Sequence, residues 1–285
     1  MSAKWTQQYR NIFGQIPKES ESEHLTSHPM RPSEATKWGA GDWSNIPNER
    51  GFRDRKYWES AFIAQALSER GLMVPDKFGL GFACGTEPLP SLLASFGCRI
   101  IATDAPFDNC GWSSTGQKSN KAEELYHKEL INKESFDRLV SFQYADMNNI
   151  PDFGKKFDFI WSACALEHLG CVHKSKDFVY RSADLLKPGG IAVHTTEFNL
   201  RSQVESVKIG DAIALTAPDF IEIAEHLSWD RYKVAQLDFR LDCEEYTFVE
   251  ARAGLMPKEY LPHCALVCYR QLFTSFGLII QKGQD

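Results

Sequence analysis

The feature that most constrains the fold is a strand, glycine turn, helix and second strand packed between Lys77 and Asp104. Lys77 to Phe82 reads as a short strand, and Ala83 to Thr86 as a turn containing glycine. Leu89, Leu92, Leu93 and Phe96 then recur on one helical face, and Gly97 closes that helix. Pro88 sits in its first turn, where a missing N–H costs little. Cys98 to Thr103 reads as a buried strand ending at Asp104. This is a βαβ unit. A glycine turn after its first strand and an acid at the end of its second is the layout of a nucleotide site.

The alternation continues along the chain. Val140 to Tyr144 reads as a strand ending before Asp146, and Phe157 to Trp161 as another, followed by a loop with Glu167 and His168. Phe178, Val179, Ser182, Leu185 and Leu186 form a helical stripe, which Lys187-Pro188-Gly189-Gly190 stops before a strand from Ile191 to Thr196. Thr216 and Asp219 have the spacing of a capping box for a helix through Leu227. Two β-rich runs, Cys264 to Tyr269 and Phe273 to Ile280, lie close enough to pair antiparallel. Before this region, residues 1 to about 56 are polar and weakly periodic, punctuated by Trp5, Trp38 and Trp43. Trp58, Phe62, Ile63, Ala66 and Leu67 then mark a helix capped by Gly71. The division expected is an N-terminal helical or irregular cap, residues 1–76, and an α/β domain, residues 77–285.

Composition excludes several classes. A formal net charge of −6 argues against a broad grip on nucleic acid, which requires Lys and Arg to neutralise phosphates. No apolar run approaches the roughly 20 residues that span a bilayer, and Met1 to Arg10 has no apolar stretch of signal-peptide type. The 8 cysteines contain no CxxC pair. Cys98, Cys164 and Cys268 lie inside apolar runs, where a thiol behaves as a small core residue. A reduced, cytoplasmic protein with no membrane span is the expectation.

Two cofactor classes fit the βαβ unit. A dinucleotide needs G-x-G-x-x-G, because its pyrophosphate rests on N–H groups at the helix start. Here Gly81 and Gly85 are the glycines, and Glu87-Pro88 occupies the helix start, placing like charge beside a pyrophosphate. That disfavours NAD. A sulfonium nucleoside without phosphates tolerates the acid.

Four ordered segments carry a resemblance to the class I S-adenosylmethionine-dependent methyltransferases: Gly79 to Glu87; Ala102-Thr103-Asp104; Ala145-Asp146-Met147; and Phe157 to Ser162 with Leu166-Glu167-His168 and Leu186 to Gly190. The resemblance implies a Rossmann-like, doubly wound, mostly parallel seven-stranded sheet with helices on both faces and a final antiparallel strand pair. It also implies S-adenosyl-L-methionine as cofactor, with S-adenosyl-L-homocysteine as product. On that basis Gly81, Phe82, Ala83 and Gly85 form the cofactor loop, and Asp104, followed by Ala105, accepts hydrogen bonds from both ribose hydroxyls. Asp146 holds the adenine amino group with Met147 against the ring, and Ser162 and Ala163 lie beside the methionine part. The loop departs from the family pattern: Gly81 replaces an acid, and Ala83 and Glu87 replace glycines, which makes Glu87 a candidate for holding the cofactor's amino group.

The catalytic candidates are His168 as base for a hydroxyl acceptor, Glu167 and Glu197 as neighbours that orient it or hold a divalent cation, and Glu197 or His194 as groups that orient the acceptor. For His194 a core position is the competing reading; for Asn199, beside Glu197, it is a loop cap. Arg50, Arg53, Arg55 and Lys56 form either an anion clamp or a solvated helix approach, and the N-terminal tryptophans either a lid or a core extension. A loose likeness to bacterial glycan and polysaccharide methyltransferases suggests O-methylation of a sugar or nucleotide sugar. A non-catalytic S-adenosylmethionine-binding module and an NAD-dependent oxidoreductase are the alternatives.

Overall fold

The computed structural model describes residues 24–48, 51–106, 117–201, 206–209, 211–241, 248–251, 263–268 and 271–284. In chain order a short β1 (His28–Pro29) leads to α1 (Pro32–Ala40) and α2 (Arg55–Glu69). The βαβ unit follows as β2 (Phe78–Phe82), α3 (Leu89–Ser95) and β3 (Arg99–Asp104). Then come α4 (Lys133–Leu139), β4 (Val140–Tyr144), β5 (Phe157–Ala163), α5 (Val172–Asp184) and β6 (Leu186–Asn199). The chain continues through β7 (Val207–Ile209), β8 (Ala212–Ala214), α6 (Ala217–Ser228), β9 (Tyr232–Val234), β10 (Phe248–Ala251), β11 (Ala265–Cys268) and β12 (Gln271–Lys282).

The main sheet runs β10-β11-β12-β6-β5-β2-β3-β4. Strands β2 to β6 pair parallel to one another, while β12 is antiparallel to both β6 and β11. The sheet is Rossmann-like, with mostly parallel strands flanked by helices and antiparallel strands towards one edge. Among the described residues it has ten strands, where seven were expected. The three extra strands are short. β10 adds beside β11, while β1 pairs at Phe276 and Gly277 and β9 at Ile280 to Lys282. β1 and β9 thus fill the part of the β12 edge left open by β11, which covers Gln271 to Thr274. That blunts an otherwise exposed edge of a long strand.

Side chains alternate across the sheet. Phe159, Trp161, Ile191 and Val193 join one core layer with Trp58, Phe62 and Ile63 of α2 and with α3. Phe157, Ile160, Ala192 and Phe198 join the opposite layer with Phe178 and Val179 of α5 and with α6. Trp38 and Trp43 are buried in the first layer, a packed extension of the core; Trp5 lies outside the described residues. The capping box at Thr216 and Asp219 forms as its spacing predicts. Lys187 to Gly190 differs from expectation. It belongs to the long strand β6, with a register shift against β5 between Phe157 and Phe159 and a left-handed Gly189 at φ 75°. Among the described residues no helix is long and apolar enough to cross a membrane.

Candidate functional site

Because β2 to β6 are parallel, their C-terminal ends reach one edge of the sheet. The strand order reverses at β2, which lies between β3 and β5. Open α/β sheets bind ligands in the crevice at such a reversal.

At the end of β2 the chain turns through Ala83 at φ 49° and Gly85 at φ 51°. Gly81 allows close packing: a Cβ there would come within 2.4 Å of the Trp161 ring and 2.5 Å of Cys84 Sγ. A Cβ on Gly85 would strike the Gln117 carbonyl oxygen at 2.3 Å. Phe82 points away from this crevice into the layer of α5, where it packs edge-on against Phe178. Glu87 accepts a hydrogen bond from Trp161 Nε1–H at 2.7 Å. Burial pushes the Glu87 carboxyl up to about 8.

Asp104, at the end of β3, is 7% exposed, and burial raises its carboxyl above the usual range. Its Oδ1 accepts the Ala105 N–H at 2.7 Å and its Oδ2 the Ser119 N–H at 2.9 Å. The Ser119 hydroxyl donates to the Gly85 carbonyl, so residues 117–119 tie the ends of β2 and β3 together. Past β4, Asp146 turns its Oδ1 to the Asn148 N–H at 2.8 Å, and Met147 is buried in the core layer shared with Phe82.

Past β5 the chain takes a left-handed step at Cys164, φ 50°, and enters a single helical turn at Leu166–His168. Glu167 is fully buried and its Oε2 accepts the Thr196 hydroxyl at 3.0 Å. Its Oε1 lies 3.9 Å from His168 Nε2, whose side chain is 23% exposed. From β6, Glu197 meets Arg55 at 2.6 Å and the Cys164 thiol at 3.5 Å. Burial pushes the Glu197 carboxyl up; Arg55 opposes this and Glu167 adds to it. Burial likewise raises the Cys164 thiol well above its usual value. Asn199 is buried, and its Oδ1 accepts the Arg201 N–H at 2.8 Å, as a local cap does.

The structure thus brings Glu167, His168 and Glu197 together. It does not bring His194 to them. His194 is fully buried in the opposite layer, 2.8 Å from Ser162 Oγ at Nδ1 and 3.3 Å from Ser182 Oγ at Nε2. Burial lowers it to about 3, so it is a neutral core histidine. Ser162 shares that environment, while Ala163 packs on the layer of α2.

Within the basic cluster, Arg55 is neither a free anion clamp nor solvated. Arg55 is buried at the start of α2 and paired with Glu59 at 3.4 Å as well as with Glu197; Lys56 pairs with Glu59 at 3.1 Å. Arg53 is exposed, and Arg50 lies outside the described residues. Glu59 and Ser275 complete the site, the Ser275 hydroxyl donating to Glu59. Both went unforeseen. The available signal was a charged residue four positions after Arg55 inside an otherwise apolar helix stripe. Cys164 also differs from expectation: it stands half-buried at the strand end, whereas Cys98 is a core thiol and the Cys268 side chain lies outside the described set.

Residues 80–194 match the family model described as a methyltransferase domain. No curated protein matches the sequence. Among solved structures, a candidate sarcosine dimethylglycine methyltransferase from Galdieria sulphuraria superposes with a TM-score of 0.50 at 13% identity, covering 97% of each chain. A magnesium protoporphyrin IX methyltransferase from Synechocystis PCC 6803, solved with bound SAH, gives 0.49 at 11% identity over 99% of this chain and 96% of that one. The fold is therefore the Rossmann-like fold of the Galdieria sulphuraria structure, and residues 80–194, from β2 into β6, are the part that matches the methyltransferase-domain model.

Proposed function

We propose that the protein transfers the methyl group of S-adenosylmethionine to a hydroxyl of a small polar acceptor, with a sugar or nucleotide sugar as the substrate class. The observation that carries this reading is the gathering of Gly85, Asp104, Asp146, His168 and Glu197 at the C-terminal edge of five parallel strands. Asp104 supplies two carboxylate oxygens at the strand end, a match for a vicinal diol. Ala83 and Gly85 bring backbone close to the cofactor, Met147 offers an apolar face to adenine, and Glu87 offers a carboxylate to the methionine ammonium.

Methyl transfer is an in-line displacement at the sulfonium methyl, so the protein's main task is to align the acceptor in a site that excludes water. A hydroxyl must also lose its proton. His168, which follows β5 with Glu167 beside it, is the base that takes that proton. The buried carboxylates accept hydrogen bonds, which favours an acceptor rich in hydroxyls over a carboxylic acid.

The test is calorimetry with S-adenosylmethionine, S-adenosylhomocysteine and NAD, followed by incubation with methyl-labelled cofactor and a panel of nucleotide sugars read by mass spectrometry. Binding of both sulfur nucleosides and a methyl gain on a sugar are expected. Binding without turnover on any acceptor would favour a non-catalytic module, and binding of NAD alone would overturn the reading.

A further inference from the structure

We propose that Cys164, Glu167 and Glu197 form a binding site for a divalent, zinc-like cation. One ligand atom from each of the three lies within 4.8 Å of the other two. Cys164 Sγ and Glu197 Oε1 are already 3.5 Å apart.

A second observation points to an occupant. Glu167 Oε1 and Glu197 Oε2 are both buried and have no hydrogen-bond partner among the described residues. Buried carboxylate oxygens are normally satisfied, and leaving them bare costs free energy that a cation recovers. The other oxygen of each is held: Glu167 Oε2 by the Thr196 hydroxyl at 3.0 Å, Glu197 Oε1 by Arg55 at 2.6 Å. Such outer partners orient carboxylates that ligate metals. The Cys164 N–H is fixed to the Thr195 carbonyl at 2.9 Å, which anchors the third ligand on β6 as well.

The charges close. Glu59, Glu167 and Glu197 against Arg55 and Lys56 leave one excess negative charge in this buried cluster. Ionising the Cys164 thiol makes it two, and a divalent cation cancels both. The thiol proton leaves to solvent on binding. A thiolate selects zinc or cobalt over magnesium and calcium, which prefer an all-oxygen shell. Three protein ligands leave a fourth position open, as in catalytic rather than structural zinc sites. On the methyltransferase reading, that position faces the acceptor oxygen; the metal site itself does not depend on that reading.

The test uses the full chain after treatment with chelator, with Co²⁺ and Zn²⁺ alone and neither cofactor nor acceptor present. Expected are one equivalent of cobalt, a cobalt–thiolate charge-transfer band, and displacement by zinc with release of protons. Cys164→Ser should lose the band. Thr196→Val, which removes only the hydroxyl that orients Glu167, should bind roughly tenfold to a hundredfold more weakly. Circular dichroism establishes that each variant is folded. Absence of metal binding by folded wild type, or an unchanged band in Cys164→Ser, overturns the proposal. Either result leaves the cofactor calorimetry unaffected, so the two readings fail separately.

Discussion

Arg55 Nη1 lies 2.6 Å from Glu197 Oε1, joining the first turn of α2 to the end of β6 with both side chains buried. Breaking a buried pair by removing one partner strands the other charge, at about 3–5 kcal/mol. Arg55→Ala is expected to lower the unfolding free energy by that order in urea denaturation. Combining it with Glu197→Gln should cost less than the two single losses added, because they share one interaction. Strictly additive losses would show that the pair is not coupled in solution.

Asp104 carries a prediction on cofactor affinity. Hydrogen bonds to charged groups are worth about 1.5–3 kcal/mol, so Asp104→Ala should weaken S-adenosylmethionine binding by roughly tenfold to a hundredfold. It also strips the Ser119 N–H of its acceptor, so a modest fall in melting temperature should accompany it. Normal affinity in calorimetry would remove Asp104 from the ribose site.

Glu87 should link cofactor binding to pH. Its carboxyl is pushed up to about 8 in the fold, against 4.5 for the ordinary side chain. The unfolded chain therefore gives up this proton near pH 4.5, the folded one only near 8, and the stability of the free protein falls as pH rises through that window. If the carboxylate holds the cofactor's ammonium, binding below pH 8 releases a proton and tightens as pH rises towards 8. Glu87→Gln should abolish that release, measured as the dependence of binding enthalpy on the buffer's ionisation enthalpy.

On the acid side, His28 and His194 are both held near 3 by burial, from an ordinary 6.5. Their protonation favours the unfolded chain, so the stability they contribute is complete above pH 6.5 and is lost as pH falls from 6.5 towards 3. Each adds about 1.4 kcal/mol per pH unit within that range. His194→Gln should flatten the slope of unfolding free energy against pH by one such step, and an unchanged slope would show that His194 is not kept neutral.

His168 is expected to act on turnover and not on cofactor binding. A positioned base contributes about 10²- to 10⁴-fold in rate. His168→Ala should reduce turnover by that factor at unchanged S-adenosylmethionine affinity. Unchanged turnover would make His168 structural and leave alignment as the source of catalysis.

Local rules made much of this protein legible in the chain. Val140–Tyr144 forms the strand that its β-rich run predicts, and Thr216 and Asp219 cap their helix because both partners lie within one turn. The glycine turn and Asp104 marked the crevice, since a parallel sheet delivers every strand end to one edge and the sequence shows where each strand stops. What the tertiary structure decided lies between elements distant in sequence. The docking of α2 on β6 and β12 set Arg55, Glu59 and Ser275 against Glu197, across 142 residues for the Arg55–Glu197 pair and 216 for Glu59–Ser275. The uncovered β12 edge recruited β1 and β9, two strands too short to announce themselves by periodicity. Alternation along β6 divides His194 from Glu197. Only the packing of α5 on one face and α2 on the other turned that division into a neutral core histidine and a carboxylate at the site, because burial and partner charge belong to a side chain's surroundings and not to its place in the chain.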